Sequence, residues 1–431
     1  MRFGSRTAGL LIAVVVLSLG MPSVALAQPE SMDGAAESVE LGTQAGMHLE
    51  QNTVQGQGSP TGQLEVTDEE NQLVREISFE LRPDEPGVVG TELRFTIPDQ
   101  VIELDSAIPD RATVTGTDGF DASGDGNYSW DGETVEPSIS LSLSVNRTGD
   151  YHLSSATGEQ ATETGEGLMF VDTGDWAVLS VPSASVWWSS YQNEPPVTFV
   201  GETAVVGSGV AGDRMVFLGS HTKETRTIDG QTVTVVLPDA ATLESSPESV
   251  LDVFEAASPH LPSSPVSRSV VIAAPTTVEW GPYGLADRSD TWVRADQPLD
   301  EPGNVWLHEF VHLRQNFSTT TDTQWIREGM PEYYAALLTL EQGRTDFGAF
   351  SDHLDRGTQS RYENVVLSQP DTWTELANYA KGALVYGTID RRIRLDSTQT
   401  ASARLLFESM NEHDQPIDQA FLESELNGYT S

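Results

Sequence analysis

Residues 304–312 read Asn-Val-Trp-Leu-His-Glu-Phe-Val-His and place two histidines four positions apart. We predict a helix here, because Asp300 and Pro302 suit the start of one. Positions four apart on a helix lie one turn from each other on the same face, so His308 and His312 stand side by side. One zinc ion can bind both imidazoles at roughly 2.0–2.1 Å. Two core or surface histidines one turn apart would show the same spacing, so this motif alone leaves both interpretations open.

The remaining side chains of this segment indicate how such a helix would be used. Glu309 directly follows the first histidine, so its carboxylate can reach a water molecule bound to the metal rather than the metal itself. Trp306, Phe310 and Leu313 lie on a different face and can anchor the helix in a core. The chain has no cysteine, so any metal site must be built from His, Asp and Glu.

A second helical segment begins at residues 325–334, which read Trp-Ile-Arg-Glu-Gly-Met-Pro-Glu-Tyr-Tyr. Glu328 follows His312 after fifteen residues, enough for the chain to return to the same cleft with a third ligand. Glu332 lies one turn beyond Glu328 and can accept a hydrogen bond from the ring of His308, which would fix that ring. A solvated helix face is the ordinary explanation of such a glutamate pair, but the bulky aromatic neighbours argue against it.

A third segment, residues 378–384, reads Asn-Tyr-Ala-Lys-Gly-Ala-Leu. Only two of the 23 basic residues of the chain are lysines, and Lys381 is one of them. A tyrosine phenol beside a zinc-bound carbonyl can donate a hydrogen bond to the oxyanion of a tetrahedral intermediate. From spacing alone, however, Tyr379 is better explained as a packed helix residue.

Together the three segments resemble the gluzincin metallopeptidases, in the branch that holds aminopeptidase N, leukotriene hydrolase and glycyl aminopeptidase. That group pairs His-Glu-x-x-His with a Trp-x-x-Glu-Gly-x-x-x-Tyr helix and a Tyr-x-Lys-Gly helix, and residues 300–390 contain all three in this order. The resemblance implies a thermolysin-like catalytic domain with one zinc ion, preceded by a β domain. It also implies that His308, His312 and Glu328 bind the zinc ion. Glu309 would then be the general base, and Tyr379 would stabilise the transition state.

One departure from this family concerns the edge strand, which normally carries a glutamate that grips the free amino group of the substrate. Its counterpart here is residues 283–287, Tyr-Gly-Leu-Ala-Asp, with Ala286 at the glutamate position. Asp287 and Glu279 are candidates to replace that carboxylate. The sequence therefore leaves aminopeptidase and endopeptidase activity both open.

The composition is strongly acidic, with 65 acidic against 23 basic residues and a formal net charge of -42. Such a surface, nearly free of lysine, is typical of a protein that works in concentrated salt, where the Debye length is about 3 Å at 1 M and self-repulsion is damped. Buffering of cations is the alternative. A surface of this charge would repel a phosphate backbone, so we expect no nucleic-acid partner. We expect a monomer that acts on peptide or protein substrates.

The N-terminus predicts export. Residues 1–27 begin with Arg2 and Arg6, continue with an apolar run at 8–19, and end in Ala-Leu-Ala, which is typical of a signal peptide cleaved after Ala27. An uncleaved anchor is the alternative, although the run is shorter than the ~20 residues that a span needs. No later stretch is apolar enough to cross a bilayer, so we predict a secreted or cell-surface protein.

The rest of the chain predicts an α+β organisation. Residues 28–45 have the composition of a flexible leader. Residues 46–230 alternate between polar and apolar, as in Ser-Ile-Ser-Leu-Ser-Leu at 138–143, and predict an antiparallel β-sandwich. Residues 231–431 turn mixed and then helical, and we assign them to the catalytic domain.

Some smaller elements are also predicted. Residues 247–258 have helical spacing, and residues 269–274, Ser-Val-Val-Ile-Ala-Ala, read as a short buried strand. Trp187, Trp188 and Tyr191 offer a binding platform, but we predict that they are buried core residues.

The favoured hypothesis is a secreted zinc metallopeptidase in which a zinc-activated water attacks the peptide bond with Glu309 as the general base. The alternative from another class is a non-catalytic surface or binding protein with a structural zinc site. Such a site needs neither Glu309 nor Tyr379, so their presence disfavours it. Hydrolysis of a bond other than a peptide is a third option.

Overall fold

The structure is a computed structural model of the 431-residue chain. It describes residues 71–109, 112–145, 170–182, 184–191, 196–280, 282–398 and 400–429, and the backbone alone of residues 53–58. The predicted signal peptide (1–27) and leader (28–45) lie outside the described residues.

Three sheets make up the first part of the described chain. Their strands are β1 Thr53–Gly58, β2 Gln72–Glu80, β3 Val88–Thr96, β4 Val101–Ala107, β5 Ala112–Asp118, β6 Phe120–Gly124, β7 Asn127–Trp130, β8 Ser138–Ser144, β9 Phe170–Asp172, β10 Ala177–Ser180, β11 Val186–Tyr191, β12 Thr198–Val206, β13 Gly209–Ala211 and β14 Met215–Leu218. The strand orders are β1-β11-β4-β7-β6, β12-β2-β3-β8-β5 and β13-β14-β10-β9. Every second side chain of β2 and β8 is buried, which gives each strand one apolar face.

The two five-stranded sheets pack against each other through this apolar face. Phe95 of β3 meets Phe120 of β6 at a ring-centroid distance of 5.3 Å, and Trp188 of β11 stacks on Phe199 of β12 at 6.1 Å. The predicted antiparallel pairing is confirmed for most strands. The exception is β12, which runs parallel to β2, since the long connection between them allows the crossover that parallel strands require.

The aromatic cluster of β11 is only partly buried. Trp188 is 9% exposed, as predicted, but Trp187 and Tyr191 are 36% and 40% exposed, so the prediction that they are core residues was wrong. Neighbouring side chains of a strand point to opposite faces, and Trp187 and Tyr191 lie on the face turned away from the sandwich core.

The second part of the described chain combines one sheet with seven helices. Its elements are β15 His221–Ile228, β16 Gln231–Pro238, α1 Pro247–Ala257, β17 Arg268–Ala274, β18 Gly284–Asp287, β19 Asp290–Arg294, α2 Val305–His312, α3 Ile326–Glu341, α4 Phe347–Asp355, α5 Ala377–Asp396, α6 Ala403–Asn411 and α7 Gln419–Gly428. The sheet order is β15-β16-β17-β19-β18, with β16, β17 and β19 parallel and the two edge strands antiparallel.

Two elements predicted in this part are present. Helix α1 begins after Ser246, whose hydroxyl accepts a hydrogen bond from the N–H of Ser249 at 3.1 Å. Strand β17 is buried at every position after its first residue. The domain boundary predicted at residue 230 stays a prediction; β15, which precedes it, pairs along its whole length with β16.

Helix α2 lies in the core of this second part. The ring of Phe310 stacks on Phe254 of α1 at 4.3 Å and 6°. Helices α3 and α5 cross at two glycines, where a Cβ on Gly329 would lie 2.6 Å from the backbone of Gly382. No helix among the described residues is both long and apolar enough to cross a bilayer.

A buried carboxylate joins the two parts. Asp290, at the start of β19, is 1% exposed and accepts hydrogen bonds from the backbone N–H groups of Arg214 at 2.6 Å, Met215 at 3.1 Å and Val270 at 2.9 Å. Burial raises the pKa of Asp290 to about 6. The carboxyl group therefore ties β14 of the first part to β17 of the second.

Candidate metal centre

Helix α2 is fixed at its start by an asparagine. The side chain of Asn304 accepts a hydrogen bond from the N–H of Leu307 at 3.1 Å and donates one to the carbonyl of Leu299 at 3.0 Å. The predicted start at Asp300 and Pro302 was therefore wrong by a few residues. The first N–H groups of a helix have no partner within the helix, and the Asn304 side chain accepts a hydrogen bond from one of them. Asn304 is therefore the N-cap residue, and the helix begins after it.

The polar face of α2 meets the start of α3. The Nε2 atoms of His308 and His312 lie 3.2 Å apart, and each lies 3.3 Å from Oε2 of Glu328. All three side chains are mostly shielded, with exposed fractions of 8%, 17% and 25%. The structure thus brings together the three side chains that the sequence proposes as metal ligands.

The outer nitrogen of each ring faces an acceptor. His308 Nδ1 lies 3.1 Å from Oε2 of Glu332, and His312 Nδ1 lies 2.9 Å from Oε1 of Gln315. An acceptor holds the ring proton on Nδ1, so each Nε2 presents a lone pair. The two Nε2 lone pairs and the Glu328 carboxylate then converge. Because all three are electron-rich, a cation between them would stabilise the arrangement.

The proline inside α3 explains the orientation of Gln315. Pro331 has no N–H, so the carbonyl of Arg327, four residues earlier, lacks its usual helical partner. That carbonyl instead accepts a hydrogen bond from Nε2 of Gln315 at 3.2 Å. The same amide therefore presents its oxygen to His312, and α3 orients a ring of α2.

The three atoms have the spacing that zinc requires. Bonds of roughly 2.0–2.1 Å to a tetrahedral ion place ligand atoms about 3.3 Å from each other. The observed separations are 3.2, 3.3 and 3.3 Å. Within the described ranges this is the one group of three or more His, Asp or Glu side chains with such spacing, and no fourth carboxylate or imidazole joins it.

The charges of the cluster are strongly coupled. Burial alone lowers the pKa of His308, but the Glu328 and Glu332 carboxylates outweigh burial and raise it to about 10. Burial raises the pKa of Glu328, but the two histidines lower it well below its usual value. The opposite shifts show that the charge of His308 is tightly coupled to those of Glu328 and Glu332.

Glu309 lies between α2 and the edge strand β18. Its side chain is buried, and a Cβ on Gly284 would lie 2.7 Å from its Oε1, so only glycine leaves it room. Burial raises the pKa of Glu309, while the two histidines and a hydrogen bond from the N–H of Ala286 oppose this rise. The carboxyl group is thus held beside the cluster without belonging to it.

Tyr379 lies on the other side of the cluster. Its ring stacks on His308 at a centroid distance of 5.6 Å and an interplanar angle of 15°. Burial, followed by the charges of Glu328 and Glu309, raises the pKa of Tyr379 well above its usual value. The phenol therefore keeps its proton and can donate it in a hydrogen bond.

Comparison with solved structures agrees with this architecture. The chain is similar to an aminopeptidase N family protein from Idiomarina loihiensis, with a TM-score of 0.50 and 12% identity over 78% of this chain and 70% of that one. The chain shares the aminopeptidase N fold. At 12% identity this likeness establishes the fold and nothing further.

Two further structures give lower TM-scores. An M1 zinc metallopeptidase from Deinococcus radiodurans gives a TM-score of 0.44 and 12% identity over 84% of this chain and 93% of that one. A variant of an M1 zinc metallopeptidase from Deinococcus radiodurans, bound to a Tyr-Ser-Ala substrate, gives a TM-score of 0.46 and 12% identity over 84% of this chain and 91% of that one. No protein-family model matches the chain, and no curated protein does.

On the aminopeptidase N fold of this chain, neither candidate for the missing edge-strand glutamate joins the cluster. Asp287 forms an ion pair with Arg214 at 3.4 Å, and Glu279 is exposed. Because alternate side chains of β18 point to opposite faces, position 287 lies on the face opposite Gly284 and Ala286, which adjoin Glu309.

Three residues near the cluster were not predicted from the sequence, namely His353, Arg356 and Gln315. Oε1 of Glu332 lies 2.9 Å from Nε2 of His353 and 2.9 Å from a terminal nitrogen of Arg356. Gln315 is the third. The spacing of three between His312 and Gln315 was a usable signal, but nothing in the sequence indicates that α4 returns to Glu332.

The rare lysine has a different environment. The Lys381 ammonium donates to the carbonyls of Tyr362 at 3.1 Å and Val365 at 2.6 Å. It therefore ties the early turns of α5, which carry Tyr379, to the preceding loop and makes no contact with the metal cluster.

Proposed function

We propose that this protein is a zinc-dependent peptidase whose ion is held by His308, His312 and Glu328. The supporting observation is that two imidazole lone pairs and a carboxylate converge at separations of 3.2–3.3 Å, next to a buried glutamate that is not one of them. A ligand set of three with a free position is typical of hydrolytic rather than structural zinc. We further propose that the second part of the chain is a thermolysin-like catalytic domain.

The mechanism uses groups on both sides of the cluster. A bound zinc ion would polarise the scissile carbonyl and make a coordinated water acidic. Glu309 takes a proton from the attacking water and passes it to the leaving amine, and its raised pKa makes the carboxylate a stronger base for the first of these transfers. Tyr379 donates its phenolic hydrogen bond to the developing oxyanion.

A peptide substrate is consistent with the aminopeptidase N fold and is supported by the edge strand beside the site. Strand β18 is an edge strand, paired only with β19, and its Gly284 lies against Glu309 of α2. An extended peptide suits such an edge, since main-chain hydrogen bonds can hold it. Because position 286 is alanine, the mode of attack, at chain ends or within chains, is left open.

A zinc assay combined with a peptide-library digest in high salt tests this proposal. The wild-type protein should bind one zinc ion and cleave peptides, whereas Glu309→Gln should keep the ion and lose at least about a hundredfold in rate. Cleavage only beside free amino termini would identify an aminopeptidase. Zinc-loaded wild type that cleaves no peptide, or a Glu309→Gln variant as active as wild type, would refute the function.

A non-catalytic protein with structural zinc is the competing function. A structural site closes its fourth position with a protein ligand, and among the described residues no such ligand accompanies the three. The buried Glu309 also serves no purpose in a structural site, because placing a carboxyl group there costs desolvation free energy.

We also propose that the protein is exported through residues 1–27 and acts in concentrated salt. The apolar run at 8–19 and the net charge of -42 support these proposals. N-terminal sequencing of protein recovered from the culture medium should begin at Gln28. Recovery only from cells, with Met1 intact, would contradict export.

A further inference from the structure

Glu332 has two carboxylate oxygens, and different parts of the molecule use them. Oε2 faces Nδ1 of His308 at 3.1 Å, toward the metal cluster. Oε1 faces Nε2 of His353 at 2.9 Å, toward helix α4. A carboxylate held at one oxygen only can rotate, whereas contacts at both oxygens fix its plane. The orientation of Glu332, and through it the ring of His308, therefore depends on α4.

His353 is itself held firmly. Its side chain is 7% exposed, and it packs against the loop before α2, where a Cβ on Gly303 would lie 3.4 Å from its ring. Nothing in the proposed catalytic cycle uses this buried imidazole. A terminal nitrogen of Arg356 lies 2.9 Å from its Nδ1 and 2.8 Å from its Nε2. Glu332 is the acceptor beside this ring, and a buried imidazole without an acceptor would be costly.

Arg356 contacts the same oxygen but from a more exposed position. Its terminal nitrogen lies 2.9 Å from Oε1 of Glu332, and its side chain is 44% exposed. Ion pairs of exposed side chains contribute little and are screened by salt. Concentrated salt therefore weakens the contact of Arg356 more than the buried contact between His353 and Glu332.

We propose that His353 is a positioning residue of the metal centre, which holds Glu332 so that the lone pair of His308 Nε2 faces the ion. The inference rests on the proposed zinc site and assigns His353 no contact with metal or substrate. Partners of this kind commonly change metal affinity by about 10–100-fold, and His353, one residue further out, should have an effect of about tenfold.

The test measures the zinc dissociation constant of the full-length protein in high salt by competition with a chromogenic chelator. His353→Asn, whose amide is too short to reach Glu332, should bind zinc about tenfold more weakly. His353→Gln, whose Nε2 can replace that of the imidazole, should bind within about twofold of wild type. Arg356→Gln should weaken binding at low salt and have no effect in high salt.

A double-variant cycle separates positioning from a general structural role. If His353 acts through Glu332, the effect of His353→Asn on zinc affinity should disappear in a Glu332→Ala background. Equal zinc affinity of the Asn, Gln and wild-type proteins, or an undiminished effect of His353→Asn in that background, would overturn the inference. A wild-type protein that binds no zinc would instead refute the proposed function, so the two failures can be told apart.

Discussion

The sandwich and the helical part differ in how many Asp, Glu, His, Lys and Arg side chains they bury. Among the described residues, strands β1–β14 bury two such side chains, Arg75 and Asp172. From β15 onward six are buried, namely Asp290, His308, Glu309, Arg314, His353 and Asp390. Because a buried charged group destabilises the fold unless it is paired, the sandwich relies on apolar burial, whereas the helical part needs paired or hydrogen-bonded partners for the charges that it buries.

The largest expected effect comes from removing a ligand in the helical part. His312→Ala should reduce zinc affinity by at least about a hundredfold, since three ligands share a binding free energy of roughly 10 kcal/mol. Chelator competition on wild type and variant measures the change. His413→Ala, which alters a histidine outside the cluster, is the control and should bind zinc as wild type does. An unchanged affinity in His312→Ala would mean that zinc binds elsewhere.

Removing core volume from the sandwich should affect stability instead. Leu141 is fully buried in β8, so Leu141→Ala should lower the free energy of unfolding by about 2–5 kcal/mol. Urea unfolding of the chelator-treated proteins measures this loss. Zinc affinity of the folded variant should stay at the wild-type value. A parallel fall in zinc affinity would show that the two parts are energetically coupled and would break the comparison.

Asp290 tests the junction between the two parts through pH. Its folded-state pKa of about 6 lies above the unfolded value, so the folded protein binds this proton more tightly. This proton contributes at most about 3 kcal/mol to the free energy of unfolding. The contribution is complete below about pH 4 and is lost as the pH rises through 6.

Asp290→Asn removes this titration. The difference in unfolding free energy between wild type and variant should therefore fall between pH 4 and pH 7, as urea unfolding at several pH values can measure. Because other carboxyl groups titrate equally in both proteins, only the difference is informative. A difference that does not vary with pH would show that the pKa of Asp290 is not raised.

The smallest effect concerns the neutral partner of His312. Gln315→Ala should weaken zinc binding several-fold, less than Glu332→Gln, because a neutral amide orients a ring less strongly than a carboxylate does. Pro331→Ala should act in the same direction, since the restored N–H competes with Gln315 for the Arg327 carbonyl. Chelator competition on the three variants ranks them. If Gln315→Ala bound zinc more weakly than Glu332→Gln, the neutral amide would orient its ring more strongly than the carboxylate, and the prediction would be wrong.

The faces of individual helices and strands could be predicted from the sequence, but contacts between distant elements could not. Helical periodicity indicated that His308 and His312 share a face, because residues four apart lie one turn from each other. The third ligand, Glu328, lies on another helix, and the family resemblance rather than periodicity assigned it to the same cluster. In β11, alternation alone could have placed Trp187 and Tyr191 on the outer face. The approach of α4 to Glu332 depends on how helices pack, and no local pattern at His353 reports it.

The backbone crossing of α3 and α5 has a consequence for work in variable salt. At Gly329 and Gly382 the two main chains touch without an intervening side chain, so main-chain sterics fix how closely the first turns of the two helices approach. Ionic strength alters interactions between charged side chains but not the van der Waals radius of a peptide group. The distance between the proposed ligand Glu328 on one helix and the phenol of Tyr379 on the other should therefore not change with ionic strength.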